Sequence, residues 1–314
     1  MMMLHRPAGR SILRAFALAS AVALAAGLAA LPVRAQTGAQ PAEQTAQVFT
    51  SDRLSVEVVG TGPDVVLIPG LASSREVWRA TADRLKATHR VHLVQLAGFA
   101  GEPWRHGDGA FVQPAVDELA RYLEQAEATK PAVIGHSMGA LVGLKLAQDR
   151  PEALGRLMSV DSLPFFSALF GPTATPESAA PFAAQAGAAL LAADDASFRV
   201  GQEQAAIGYA RDPATRALMV EWSMASDRHA VASALRDVMT TDLRPGLATM
   251  TTPITALYAS DADGGAPAAM ADAMWAREYA AQPAVRLIRV DASRHFIMAD
   301  QPERFAELVD AFLR

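Results

Sequence analysis

The sequence has 314 residues, of which 51% are hydrophobic and 19% charged, with a formal net charge of −5 and no cysteine. That composition supports a full apolar core and excludes a disordered chain. Mild acidity without a Lys/Arg run leaves no nucleic-acid footprint, and the lack of thiols excludes disulfides and thiolate metal sites.

In chain order, residues 1–35 come first. Arg6, Arg10 and Arg14 precede an uncharged run from Ala15 to Leu31, and Val33-Arg34-Ala35 then sets small residues on either side of Arg34. A basic leader, an apolar stretch and a small-residue cleavage site form the pattern of a secretory signal peptide. We therefore expect residues 1–35 to be a signal peptide cut after Ala35, with export to the periplasm or the medium. No stable membrane span is expected in what remains. An uncleaved anchor is the competing reading, because the run is near the lower length limit for a span. Residues 36–52 (QTGAQPAEQTAQVFTSD) are polar and read as a flexible lead-in.

From residue 53 onward, short apolar runs alternate with helical patterns. Leu54 to Val59 alternates in part, as an outer strand does. Asp64 to Ile68, Val91 to Leu96, Ala132 to Ile134, Leu157 to Val160, Ile254 to Tyr258 and Val285 to Val290 are short runs suited to strands buried on both faces. Helical periodicity occupies 75–88, 114–129, 138–149, 266–281 and 302–313. This alternation predicts an α/β, doubly wound, mostly parallel sheet. It breaks once. Residues of about 164–245 are helical in pattern and rich in alanine, too long for a plain loop, and read as a helical cap inserted between two sheet strands.

The stretch Val133 to Gly143, VIGHSMGALVG, holds one hydroxyl between two glycines where an apolar run gives way to a helix. A Gly-x-Ser-x-Gly turn between strand and helix is so tight that a Cβ at either flanking position would collide with its neighbours. It lifts the Ser137 hydroxyl to the carboxyl end of the sheet, where the helix directs its free N–H groups. A serine nucleophile needs a base, and the base needs an orienting acid. Among the seven histidines, only His295 follows a late strand. His5 is in the leader, His89 and His92 flank an early strand, His106 is in a polar loop, His136 adjoins Ser137 and is expected to point elsewhere, and His229 is in the insertion. For the acid, Asp261 lies nearest the end of its strand and is favoured, Asp263 is the alternative, and Asp161 is a third candidate. The oxyanion donors are expected to be the backbone N–H groups of Met138 and Leu71, the latter following Gly70 in the loop after Asp64 to Ile68.

With these residues in place, the chain resembles the α/β-hydrolase superfamily in its single-domain form with a helical cap. The resemblance runs from about Leu54 to Arg314. It is carried by IPGLASS with Trp78 downstream, QLAGFAG, the elbow GHSMG, VDSLP, DLRPGLATMTTPITALYA and RHFIMADQPERFAELVDAFL. Two segments depart from the usual pattern: Pro69-Gly70 stands where His-Gly is usual, and the acid loop is blurred into Ala259-Ser260-Asp261-Ala262-Asp263. The resemblance implies a Ser-His-Asp serine hydrolase, without cofactor, and we expect it to act on a small carboxylic ester, thioester or lactone. The same triad on carbon–carbon, peptide or amide bonds is the alternative, and an aminopeptidase would need cap carboxylates such as Glu203, Glu221 or Asp227. A non-catalytic binding protein on the same scaffold is the third reading. Phe165, Phe166 and Phe170 at the start of the cap are candidate walls of an apolar acyl pocket, against the plainer reading that they pack the cap. No residue pattern suggests a metal site, and the oligomeric state is not legible.

Overall fold

The computed structural model describes residues 49–314. The expected signal peptide and most of the lead-in lie outside the described residues. Among these residues, seven strands build one sheet: β1 (Leu54–Val59), β2 (Asp64–Ile68), β3 (Arg90–Leu96), β4 (Ala132–His136), β5 (Arg156–Val160), β6 (Ile254–Ser260) and β7 (Arg286–Asp291). Their order is β1-β3-β2-β4-β5-β6-β7. Only β1, at one edge, is antiparallel to its neighbour.

Successive side chains of a strand point to opposite faces, and β2 shows the consequence. Val65 and Leu67 join a cluster with Trp78, with α1 (Arg79–Leu85) and with the last helix, while Val66 and Ile68 join a cluster on the other face. All four are fully buried, and each such burial stabilises the fold by about 1.5–3 kcal/mol. The second face is covered by α2 (Val112–Gln125) and α3 (Met138–Asp149). In α2 the buried residues Val112, Ala115, Val116, Leu119 and Leu123 follow the spacing of a helix with one apolar stripe. In α3, Gly143 lets the helix pack closely on the sheet: a Cβ there would sit 2.7 Å from the Leu157 Cδ1 on β5 and force that side chain to move.

Between β5 and β6 the chain forms α4 (Pro176–Ala192), α5 (Asp195–Tyr209), α6 (Pro213–Ala225) and α7 (Arg228–Thr240). The cap packs as two helix pairs, α5 against its neighbour α6 and, across that pair in sequence, α4 against α7. Asp194, Asp212 and Asp227 cap the last three helices by accepting backbone N–H bonds in their first turns, which closes each turn with a strong start signal. After the cap come α8 (Ala268–Glu278), a single turn α9 (Ile297–Asp300) and α10 (Pro302–Leu313). No described helix is long and apolar enough to cross a membrane.

Candidate active site

The strand order places the site. From β2 the chain turns to α1 on one face; from the adjacent β4 it turns to α3 on the other. Loops leaving neighbouring strands toward opposite faces open a crevice at the carboxyl edge of the sheet, where ligands of such folds bind. Ser137 follows β4 and the Pro69–Ser74 loop follows β2, so both stand at this crevice.

Ser137 has φ 53° and ψ −122°, a conformation costly for a residue with a side chain. Its two glycines explain how the turn survives. A Cβ on Gly135 would lie 2.4 Å from the carbonyl of Gly139, and one on Gly139 would lie 2.3 Å and 2.5 Å from the carbonyls of Ile68 and Pro69. Those obstacles are backbone and cannot rotate away. Gly139→Ala is expected to destabilise the protein by at least about 2 kcal/mol, because overpacking against backbone leaves no low-energy rearrangement. Urea titration checks it, and an unchanged midpoint would refute it.

His295 lies in the loop after β7. Its Nδ1 is 2.7 Å from Oδ2 of Asp161. Asp161 directly follows β5, and its Oδ1 accepts the Ala259 N–H of β6 at 2.9 Å. Both carboxylate oxygens are thereby engaged, one holding the acid to the sheet and the other holding the imidazole. The favoured acid, Asp261, stands elsewhere. It is buried between two guanidinium groups, Arg211 at 2.8 Å and Arg294 at 2.7 Å. Asp263 only donates its backbone N–H to Asp261. The loop after β6 folds back through a bridge between Asp261 and Ala266, with the Asp261 carboxylate on those arginines. The structure therefore pairs His295 with the third candidate.

His136 does not point away from the site as the sequence suggests. It is fully buried; its ring centroid is 4.6 Å from that of His295, and its Nε2 is 2.9 Å from the His295 carbonyl oxygen. That carbonyl accepts only from Nε2–H. Burial, and then the neighbouring His295, push the His136 imidazole well below the ordinary value, so it stays neutral. The residue preceding Ser137 thus grips the backbone of the residue expected to activate it. No hydrogen bond within 3.5 Å joins the Ser137 hydroxyl to His295 Nε2; such contacts often tighten only when substrate is present.

The expected oxyanion donors lie on the same rim. The close approach of Gly139 to Ile68 and Pro69 packs the start of α3 on the loop that carries Leu71. Among the described residues, neither the Met138 nor the Leu71 N–H has a protein acceptor. Strain is shared around the rim: Ala72, Ser137, Asp161 and Ala292, one in each of its four loops, have φ near 50°.

Of the three phenylalanines, Phe165 is fully buried under the Arg244 guanidinium and has no face open to a ligand. Phe166 packs on the core, and Phe170 is largely exposed. Glu203 and Glu221 line a shallow cleft of about 370 Å³ with Arg199 and Arg216, away from Ser137 and His295, and Asp227 is spent as a helix cap. Two residues near His295 carried no sequence signal: Tyr209, whose ring centroid is 5.3 Å from the imidazole, and Asp300, which accepts three backbone N–H bonds.

The fold and site agree with what comparison finds. The sequence model of the alpha/beta hydrolase family matches residues 65–308, and the chain belongs to that family. In particular, it is 39% identical over 115 residues to a pimeloyl-[acyl-carrier protein] methyl ester esterase of Aeromonas salmonicida. It is 37% identical over 123 residues to the esterase of the same name from Vibrio atlanticus. These matches cover 37% and 39% of this chain and less than half the length of either relative, 44% and 45%. Among solved structures, a hydrolase from Pseudomonas aeruginosa PA01 aligns over 83% of this chain and 94% of its own, with TM-score 0.69 and 21% identity. An enol-lactonase from Burkholderia xenovorans LB400 aligns over 83% and 96%, with TM-score 0.68 and 17% identity. At those identities the likeness speaks for the shared fold.

Proposed function

We propose that this protein is an exported serine hydrolase that cleaves a small carboxylic ester, or a related thioester or lactone, through an acyl-enzyme. The observation that carries the reading is the 2.7 Å bond between His295 and Asp161, set beside a strained serine elbow. An ionised carboxylate only accepts, so Asp161 keeps the proton on Nδ1 and leaves the Nε2 lone pair free. In this mechanism Ser137 Oγ attacks the ester carbonyl carbon while Nε2 takes its proton. The carbonyl oxygen becomes an oxyanion received by the Leu71 and Met138 N–H groups. Collapse breaks the bond to the alcohol oxygen, and Nε2 returns the proton to it. Water then repeats the sequence and frees the acid.

The ester class is supported by the names of the relatives from Aeromonas and Vibrio. An apolar acyl group is supported by Met219 and Trp222, which lean half-buried on the cluster holding Phe296. Export is supported by the leader, apolar run and small-residue site of residues 1–35. A fluorophosphonate probe with peptide mapping tests the nucleophile, and a panel of esters against aminoacyl amides tests the class. Labelling at Ser137 with ester turnover is expected; an unlabelled Ser137, or amide turnover exceeding ester turnover, would overturn the reading. Fractionating the cells that make the full chain tests export, and retention in the cytoplasm would refute it.

A further inference from the structure

Three aromatic rings surround the His295 imidazole: His136 at 4.6 Å, Phe296 at 5.8 Å and Tyr209 at 5.3 Å between centroids. His136 and Phe296 are buried, whereas Tyr209 is 46% exposed. Tyr209 is therefore the one of the three rings that borders solvent beside the imidazole. It belongs to the cap, at the turn between α5 and α6, and that turn is fixed unusually well. The Tyr209 carbonyl accepts the Phe296 N–H at 3.0 Å. Oδ1 of Asp300 accepts the N–H groups of Arg211 and Asp212 at 2.7 Å and 3.1 Å, while Oδ2 accepts that of Arg294 at 2.8 Å. Asp261 repeats the pattern with side chains, taking Arg211 at 2.8 Å and Arg294 at 2.7 Å. Each carboxylate joins the cap turn to the loop that carries His295.

In acyl transfer the imidazole must reach the leaving-group oxygen to return its proton. A side chain that borders solvent beside the imidazole thus meets the alcohol half of an ester rather than its acyl half. We propose that Tyr209 is a specificity-determining residue that limits the size of the alcohol, and that Asp261 and Asp300 are positioning residues that hold it against His295. The inference rests on the serine-hydrolase reading above. Because two carboxylates lock the turn in place, the Tyr209 ring forms a fixed wall, and substrates with small alcohols fit beneath it.

The test measures kcat/KM for the full chain on acetate esters of methanol, isopropanol and benzyl alcohol, and on methyl esters of increasing acyl length. Tyr209→Ala is expected to raise the benzyl-to-methyl ratio by at least about ten-fold, the lower end of what one fitted contact contributes to discrimination. Tyr209→Trp is expected to lower that ratio. Arg211→Ala, which removes only the side-chain tie to Asp261 and leaves the Asp300 bonds to the turn and the Asp261–Arg294 pair, is expected to shift the ratio in the same direction as Tyr209→Ala but by less. The order of preference among acyl lengths is expected to hold throughout. Equal changes for every alcohol, or a shift in acyl preference instead, would overturn the assignment. Fluorophosphonate labelling of Ser137, run on each variant, separates the two levels. Labelled proteins with one common alcohol profile sink only the role of Tyr209. A wild-type protein that is unlabelled and turns over no ester sinks the serine-hydrolase reading and this one with it.

Discussion

Replacing Ser137 with alanine is expected to lower kcat on p-nitrophenyl acyl esters by about 10⁴-fold or more, the scale seen when a triad nucleophile is removed. The Tm is expected to move by no more than about 2 °C. The hydroxyl makes no hydrogen bond with another described residue, and alanine meets the same backbone strain as serine, so the fold loses nothing it uses. The two readouts together matter, because loss of turnover with a large drop in Tm would report unfolding. Retention of more than about a hundredth of wild-type turnover would mean that Ser137 is not the nucleophile.

The second large effect separates two aspartates. Asp161→Asn is expected to reduce kcat by about 10³–10⁴-fold, because an amide no longer fixes the proton on Nδ1 and leaves the imidazole in the wrong tautomer. Asp261→Asn, at the residue the sequence favours, is expected to reduce kcat by less than about ten-fold, since it touches the base only through the loop. Its cost falls on stability instead, about 1–3 kcal/mol for leaving the largely buried Arg294 without its carboxylate. That cost has a pH signature. Burial raises the Asp261 carboxyl, but Arg294 and Arg211 outweigh it and hold the group below its ordinary value of 3.8. A carboxyl depressed in the fold adds stability that is fully present above the unfolded value and fades as pH falls through the folded one. The gap in stability between wild type and Asp261→Asn should therefore be full at pH 6 and shrink below pH 3.8. Equal losses of kcat in both variants would refute the placement of Asp161 as the orienting acid.

The elbow was legible because its demands are local. Two glycines around a serine, between an apolar run and small helix residues, report a backbone crowding that the Gly135 and Gly139 contacts bear out. His295 was legible as the histidine that follows a late strand. The carboxylate that pairs with His295 was not, because the choice depends on which strands are neighbours. Asp161 follows β5, which lies between β4 and β6 in the sheet, and it reaches His295 from 134 residues away in sequence. Asp261 has the same local setting, a strand end followed by a loop, and only the bridge to Ala266 and the two arginines reveal its different task. Phe165 fails as a pocket wall for a related reason. A large apolar side chain has the same sequence signature whether it faces a substrate or, like Phe165, the underside of an arginine. Tyr209 left no trace because His295 lies far along the chain, and Asp300 because two of its three N–H donors, Arg211 and Asp212, lie 89 and 88 residues away.

The four residues near φ 50° around the rim have a consequence for anyone who tries to improve this protein. Each such position stores about 1–3 kcal/mol that a glycine would release. Ala72 packs in the apolar core and Asp161 binds β6 through the Ala259 N–H, whereas the Ser137 hydroxyl bonds no other described residue. Mutant libraries selected for heat resistance alone should enrich glycine at positions 137 and 292, and sequencing the survivors would show whether they do. The result would be a hardier protein with nothing left to react, so durability and turnover have to be selected in the same round.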